Sequence, residues 1–123
     1  MSNSASNQDH PIRIEPNRRH VRVRWGGKVV ADTRRALALF EASYPAVQYV
    51  PREDADMSLL VRTAHKTHCP YKGDANYFSI KIGDRTAENA VWTYETPFPA
   101  VAEITGYLAF YPNRVDGIEE TAD

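Results

Sequence analysis

Residues 21–32 read VRVRWGGKVVAD, two alternating segments joined by a pair of glycines. Apolar and charged side chains alternate on the first side of the pair, which is the period-two pattern of a strand with one buried face. A Gly-Gly pair in this position favours a two-residue β-hairpin, because both glycines can adopt positive φ. We therefore predict a hairpin with Gly26 and Gly27 as its turn. A phosphate-binding role for them is the weaker alternative, since no helix start follows.

Further strands are predicted on both sides of this hairpin. Residues 75–86 (ANYFSIKIGDRT) place Phe78, Ile80 and Ile82 on one face and end at a Gly-Asp turn, which predicts a second hairpin. The segment 35–42 (RALALFEA) has helical propensity but lies between a hairpin and a strand-like run, so we favour a strand there. The other predicted strands are VQYVP (47–51), VWTYE (91–95) and YLAFYP (107–112).

Two short segments carry helical signals instead. REDADMSLL (52–60) predicts one helical turn capped by Asp54 or Asp56, and PFPAVAEITG (97–106) predicts a short helix with Pro99 in its first turn. The fold class is therefore mostly β. We expect a single compact domain of short antiparallel strands, either barrel-like or two packed, bent sheets, with one or two short helices.

Domain boundaries follow from composition. Residues 1–11 form a polar leader predicted to be disordered, residues 12–118 form the β-rich domain, and residues 119–123 form an acidic tail predicted to be frayed. The first residues lack the basic start and apolar core of a secretory signal, and a lone cysteine cannot form an internal disulfide. We expect a cytoplasmic protein.

The overall charge and hydropathy exclude two further classes of partner. The net charge is −1, which argues against a general nucleic-acid binder, and no apolar run approaches the roughly 20 residues that span a bilayer. Arginines do accumulate between Arg18 and Arg24. Because they alternate with Val21, Val23 and Trp25, we interpret them as the solvated face of a strand, with an anionic partner as the alternative.

The segment 67–79 (THCPYKGDANYFS) concentrates the candidate chemistry. His65, His68 and Cys69 suggest a metal site, but a second pair of ligands is missing, so we predict no metal and no cofactor. Cys69 is predicted to be a buried, inert thiol rather than a nucleophile. Lys72 lies in the turn between Tyr71 and a glycine, where it would either contact a phosphate or carboxylate or form an ion pair with a carboxylate such as Glu95 or Glu103.

Aromatic residues form the strongest constellation. If the strands holding Tyr77 and Trp92 are neighbours, Tyr77, Ser79, Trp92 and Tyr94 would share one face, with Lys81 at its edge. Exposing so much aromatic surface is costly unless something covers it. The cover would be a second sheet of the same chain, a second subunit, or a flat ligand.

The same region resembles a known family. Residues 69–111 are similar to the pattern of the bacterial domain-of-unknown-function family 427: Cys-Pro-aromatic-Lys-Gly-x-Ala-x-Tyr-aromatic-Ser, then Trp-x-Tyr-x-x-Pro, then Gly-x-x-Ala-Phe-aromatic. Upstream segments extend the resemblance over roughly residues 21–115. It implies a mostly β single domain. The pattern positions are Cys69, Pro70, Tyr71, Lys72, Gly73, Ala75, Tyr77, Trp92, Tyr94 and Pro97.

Three functional hypotheses follow. The first is a small-molecule-binding domain whose ligand contacts Lys72, Tyr71, Tyr77, Trp92, Tyr94 and Cys69. The second is an interaction module that uses the same face to form a homodimer. The third is a nucleotide-acting enzyme, because the family also carries a nucleotidyltransferase label. Asp54 and Asp56 have the paired spacing of such enzymes, but the Gly-Ser turn that precedes it is missing, and whether the protein is an enzyme stays open.

Overall fold

The computed structural model describes residues 10–122, which form ten β-strands and three 3₁₀ segments. The strands are β1 (Ile12–Asn17), β2 (His20–Trp25), β3 (Lys28–Thr33), β4 (Ala36–Glu41), β5 (Val47–Tyr49), β6 (Leu60–Cys69), β7 (Gly73–Ile82), β8 (Arg85–Thr93), β9 (Leu108–Phe110) and β10 (Gly117–Thr121). The 3₁₀ segments are Arg52–Asp54, Met57–Leu59 and Pro99–Ile104. The expected mostly β domain is confirmed.

The strands form three antiparallel sheets. Their orders are β1-β4-β5, β10-β2-β3 and β6-β7-β8-β9. A bridge between Val50 and Leu108 joins the first sheet to the third, and a bridge between Ala31 and Ala55 connects β3 with the segment after the first 3₁₀ turn. The expectation of packed sheets therefore describes the fold, whereas a closed barrel does not, because each sheet is open.

The hairpin at Gly26 and Gly27 is confirmed. Both glycines have positive φ, and β2 pairs with β3 across them. Val21, Val23 and Trp25 are buried while the intervening arginines are half-exposed, as the alternation indicates.

The choice of strand over helix for residues 35–42 is also confirmed. β4 pairs with β1 on one side and with β5 on the other. A central strand satisfies its backbone groups through two neighbours, and this tertiary pairing outweighs the helical propensity of its alanines and leucines.

Strand β6 escaped prediction because it lacks alternation. Most of its side chains are exposed, and its pairing with β7 shifts register between Arg62 and Lys66. As an edge strand it has only β7 as a neighbour among the sheets of residues 10–122. Its conformation depends on that partner rather than on its own apolar pattern.

Two boundary predictions need correction. The predicted frayed tail is wrong for residues 119–121, because β10 pairs antiparallel with β2 from Gly117 to Thr121. Exposed ion pairs of Arg24 with Glu119 and of Arg19 with Glu120 complement this pairing. At the other end, residues 1–9 of the predicted leader lie outside the described residues, while the Ala42 N–H donates to the carbonyl of Pro11 at 2.8 Å.

The two segments predicted to be helical form 3₁₀ turns. Asp56 caps the second turn by accepting from the Ser58 N–H, so it is the capping residue rather than Asp54. In the 97–106 segment, Pro99 starts the 3₁₀ stretch, and Val101 and Ile104 are buried as predicted. Among the described residues, no helix is long and apolar enough to cross a membrane.

The interior divides into two apolar clusters. The first lies between the β10-β2-β3 sheet and one face of the third sheet, and it includes Val23, Val30, Phe78 and Ile80. The second lies where β4 and β5 meet β7, β8 and the Pro99–Ile104 segment. The second cluster is unusual in containing several buried tyrosines, and it surrounds the candidate site.

Removal of β10 tests the corrected boundary. A chain ending at Asp116 loses five paired residues and the packing of Ile118 on the first cluster. We expect its free energy of unfolding in urea to fall by about 2–4 kcal/mol. A chain ending at Thr121 serves as the control and should keep its stability. Equal stability of the two truncated chains would contradict a stabilising role for β10.

Candidate functional site

The CPYKG turn connects β6 to β7 and is held by backbone hydrogen bonds. The Lys72 N–H donates to the Cys69 carbonyl at 3.2 Å, and the Phe98 N–H donates to the Lys72 carbonyl at 2.9 Å. Gly73 has a φ of 118°, a conformation that L-residues rarely adopt. The glycine of the motif therefore has a backbone role, and it fixes where Lys72 points.

The Lys72 side chain points inward and forms a shielded ion pair. Only 7% of the residue is exposed, and Nζ donates to Oε1 of Glu41 at 2.5 Å. The predicted partners Glu95 and Glu103 are wrong: Glu95 instead binds Arg52 and Arg62. Sequence reasoning missed Glu41 because it lies in β4, in a different sheet.

Glu41 also binds a second basic side chain. Nε2 of His10 lies 2.6 Å from its other oxygen, Oε2, and the His10 ring stacks on Tyr71 with centroids 3.8 Å apart and an interplanar angle of 7°. Residue 10, which was predicted to belong to the leader, thus covers the outside of the turn. Tyr71 is used in this stack and lies outside the tyrosine-lined cavity described below.

The pKa of Glu41 reflects its two basic neighbours. Burial by itself would raise this pKa, but the hydrogen bonds from Lys72 and His10 outweigh burial and hold it below its ordinary value. Glu41 is therefore a carboxylate at neutral pH. The Lys72 and Glu41 charges cancel, so the pair brings no net charge to the site.

Tyr77, Trp92 and Tyr94 share a face as predicted, and in the structure this face lines a cavity. Tyr77 pairs directly with Trp92 across β7 and β8, which confirms that these strands are neighbours. Between them and the β1-β4-β5 sheet lies a space of about 330 Å³, which we call the tyrosine cavity. Its lining comprises Leu39, Glu41, Val47, Tyr49, Thr67, Lys72, Tyr77, Trp92, Tyr94 and Tyr111.

Most of the polar groups in this cavity already bind one another. The Tyr77 hydroxyl lies 2.9 Å from Oγ1 of Thr67 and 3.1 Å from the Tyr111 hydroxyl. The Trp92 indole N–H donates to the Tyr49 hydroxyl at 3.2 Å. Burial raises the pKa of Tyr111 to about 12, and the hydrogen bond with Tyr77 adds to that shift. The phenols of Tyr49 and Tyr111, whose pKa values burial raises, are therefore neutral at physiological pH.

Tyr94 is the exception. The residue is 5% exposed, and within residues 10–122 nothing hydrogen-bonds to its hydroxyl. In the same range every fully buried side-chain polar atom has a hydrogen-bond partner, so the Tyr94 hydroxyl must reach the open space of the cavity that it lines. Burial raises its pKa well above the ordinary value, so the group is a neutral donor and acceptor.

Other predicted members of the aromatic face lie elsewhere. The pairing of β7 with β8 shifts register between Phe78 and Ile80, and Ser79 accepts a hydrogen bond from the Asn89 N–H at 3.0 Å instead of lining the cavity. Lys81 is exposed on the far part of the strand. A bulge of this kind cannot be read from alternation, which is why the predicted face was too long.

Cys69 is half-buried and packs against the second apolar cluster. The neighbouring histidines have other contacts. The His65 ring meets the Tyr77 ring edge-on at 4.5 Å, and Nδ1 of His68 lies 2.6 Å from Asp74. In the part of the chain that the structure describes, no three His, Cys, Asp or Glu side chains come together as metal ligands.

Asp54 and Asp56 make structural contacts. Asp54 accepts from Thr33 at 2.7 Å and from Arg35 at 3.2 Å, while Asp56 caps a 3₁₀ turn. Each carboxylate is occupied by its own neighbours, and the two do not line the tyrosine cavity.

Residues 13–121 match a protein family described as a domain of unknown function, DUF427. The chain belongs to the DUF427 family. The resemblance seen in the CPYKG and Trp-x-Tyr motifs is thereby confirmed over most of the length. A search of the curated proteins finds no match to this DUF427 domain. Membership of this family does not by itself assign an activity to the domain.

Replacing Glu41 tests the buried pair. Glu41→Gln leaves the Lys72 ammonium without a counter-charge, so the free energy of unfolding should fall by about 3 kcal/mol at pH 7. A carboxylate with a lowered pKa stabilises the fold fully above its ordinary value of 4.5, and this contribution is lost as the pH falls through the folded pKa. The difference from the unaltered protein should therefore shrink between pH 5 and pH 3, which urea titrations at several pH values measure.

Glu103→Gln provides the matched control, because it makes the same chemical change at an exposed residue outside the site. The free energy of unfolding of this variant should equal that of the unaltered protein at every pH. A Glu41→Gln deficit that stayed constant down to pH 3 would contradict the assignment of Glu41 as the titrating partner.

The motif glycine can be tested separately. Gly73→Ala forces an L-residue to a φ of 118°, whereas Gly83→Ala, at a φ of 60° with nothing within 4 Å of the added methyl, meets only the ordinary left-handed penalty. We expect thermal unfolding to give losses of about 2–3 kcal/mol for Gly73→Ala and about 1 kcal/mol for Gly83→Ala. Equal losses would show that the turn relaxes to accommodate the side chain.

Proposed function

We propose that this DUF427 domain binds a small, planar organic molecule in the tyrosine cavity. The single observation that carries the proposal is the Tyr94 hydroxyl. It is neutral, it belongs to a residue that is only 5% exposed, it reaches the open space of the cavity, and it has no hydrogen-bond partner among residues 10–122. A ligand oxygen or nitrogen that hydrogen-bonds to this shielded hydroxyl gains about 0.5–1.5 kcal/mol.

The electrostatics of the cavity favour a neutral ligand or neutral head group. The Lys72 ammonium uses one of its three donors on Glu41, and its charge is balanced there. It can still donate to a carbonyl or hydroxyl oxygen, but a phosphate would have to compete with Glu41 for it. Lys72 is therefore a hydrogen-bond donor to the ligand rather than a free anion contact.

The aromatic walls favour a flat ligand. The Trp92 ring lies 4.5 Å from the Tyr111 ring with a tilt of 45°, and the Tyr49 ring stands perpendicular to Trp92. Such faces bind planar molecules through offset stacking and edge contacts. The volume of the cavity lies at the lower end of the roughly 300–1,000 Å³ found for ligand sites.

The two other hypotheses receive less support from this arrangement. A subunit interface on the same face is disfavoured because β4 and β5 of the same chain already cover Tyr77 and Tyr94. Nucleotidyl transfer would require carboxylates that hold a metal, and Asp54 and Asp56 are engaged elsewhere. Small-molecule binding is the function that the geometry supports best.

Gentle purification followed by native mass spectrometry tests the proposal. We expect a mass above that of the bare chain, which disappears when the protein is denatured and is reduced in Tyr94→Phe and Lys72→Met. Removing the unpaired hydroxyl should also leave the ligand-free protein as stable as before, or up to about 1 kcal/mol more stable. Loss of a ligand without loss of stability is the signature of a binding group.

Tyr77→Phe is the matched control, because it removes the same atom from a phenol that has partners. It leaves Thr67 and Tyr111 without a hydrogen bond and should destabilise the fold by about 1 kcal/mol. A bound mass retained unchanged in Tyr94→Phe and Lys72→Met, or a Tyr94→Phe protein destabilised as much as Tyr77→Phe, would overturn the proposal.

A further inference from the structure

A second cavity adjoins the tyrosine cavity. It has a volume of about 290 Å³ and lies between β5, the β10-β2 pair and β9. Val47 and Trp92 line both cavities, so these two side chains lie between the neighbouring spaces. We call the second space the valine cavity.

The lining of the valine cavity is mostly apolar, and Gln48 and Glu120 are the two polar residues among the eleven that line it. Its apolar side chains include Val21, Val23, Val50, Phe110 and Ile118. The first four of these are almost completely buried, and Ile118 is partly buried against the first apolar cluster. These apolar side chains offer no hydrogen bond to a ligand.

Oε1 of each of the two polar lining residues, Gln48 and Glu120, already accepts a hydrogen bond. Asn17 donates to Gln48 at 2.8 Å and to Glu120 at 3.2 Å, and Arg19 forms an exposed ion pair with the same glutamate. A water molecule needs two to four polar partners to remain in a cavity, and the side chains of the buried valines and Phe110 supply none. The space suits an apolar group better than water or a polar one.

The size of the valine cavity limits what would fit. A cavity of about 150 Å³ lined by aliphatic and aromatic side chains holds one benzene molecule. The valine cavity is nearly twice as large, so it can hold roughly six to eight carbon atoms of a chain or a second ring. The tyrosine cavity alone sits at the small end of ligand sites, and the addition of this space brings the combined site well within their usual range.

We infer that the ligand of this domain is amphipathic. Its planar, hydrogen-bonding head lies in the tyrosine cavity, and its uncharged apolar tail passes Val47 and Trp92 into the valine cavity. The inference rests on the proposed function for the head and adds the class of the tail. In this arrangement Trp92 contacts both the head and the tail of the ligand. Its indole N–H donates to the Tyr49 hydroxyl on the side of the tyrosine cavity.

A homologous series of alkyl 4-hydroxybenzoates, from the methyl to the heptyl ester, tests the inference by titration calorimetry on the full chain. Each ester has the same planar head and differs only in tail length. Each buried methylene contributes about 0.8 kcal/mol, so the dissociation constant should fall about three- to fourfold per added carbon until the cavity is full. The change in affinity with chain length measures binding of the tail, and the affinity of the methyl ester measures binding of the head.

Two variants separate these contributions. Ala46 is exposed at the rim of the valine cavity, so Ala46→Phe can fill that space without altering the buried core. It should abolish the gain with chain length and leave the affinity for the methyl ester unchanged. Tyr94→Phe should weaken every ester by a similar factor, about tenfold, and preserve the gain per carbon.

The dependence of affinity on chain length in the two variants separates the possible outcomes. A gradient that Ala46→Phe removes supports the inference. Binding with no dependence on chain length, or a gradient insensitive to Ala46→Phe, overturns it, and the proposed function still stands if Tyr94→Phe weakens the methyl ester. Long esters that bind regardless of Tyr94 would place the ligand in the valine cavity alone and count against the proposed head site. Absence of binding by every ester also overturns the inference, while the mass of the purified protein tests the proposed function independently.

Discussion

The ion pair between Lys72 and Glu41 is the constraint on which the site depends. Lys72 belongs to the turn between β6 and β7, and Glu41 ends β4 in another sheet. Because both groups are shielded from water, neither can lose the other without leaving a buried charge. The pair therefore fixes the distance between the two sheets, and the tyrosine cavity is the space that this distance leaves open. His10 and Tyr71 close the pair from outside.

The hairpins and most strands could be predicted because their signals are local. Alternation and turn glycines lie within a dozen residues, and the Tyr77–Trp92 contact follows once the hairpin between β7 and β8 is assumed. Strand β10 gave no such signal. Its stability depends on pairing with β2, including the contact of Glu119 with Arg24 across 95 positions of sequence, and an acidic segment read alone resembles a tail.

The same distinction between local and long-range signals explains which residues of the site could be predicted. Lys72, Tyr77, Trp92 and Tyr94 could be selected from sequence because they stand close together along two strands and a turn. Glu41 and Tyr49 come from a separate sheet, and nothing in their local sequence indicates where β4 and β5 will pack. The decisive property of Tyr94 is the lack of a partner for one atom among the described residues, which depends on all the neighbouring elements at once.

Strand β6 has a further consequence for the behaviour of the protein in concentrated solution. It is ten residues long and stands at the edge of the four-stranded sheet. A long, flat edge is a template on which other chains can add strands and aggregate. Here Arg62, His65, Lys66 and His68 cover the edge with basic and polar side chains, and the shift of register bends it. The polarity that concealed this strand in the sequence is therefore also a feature that disfavours pairing of its edge with another chain.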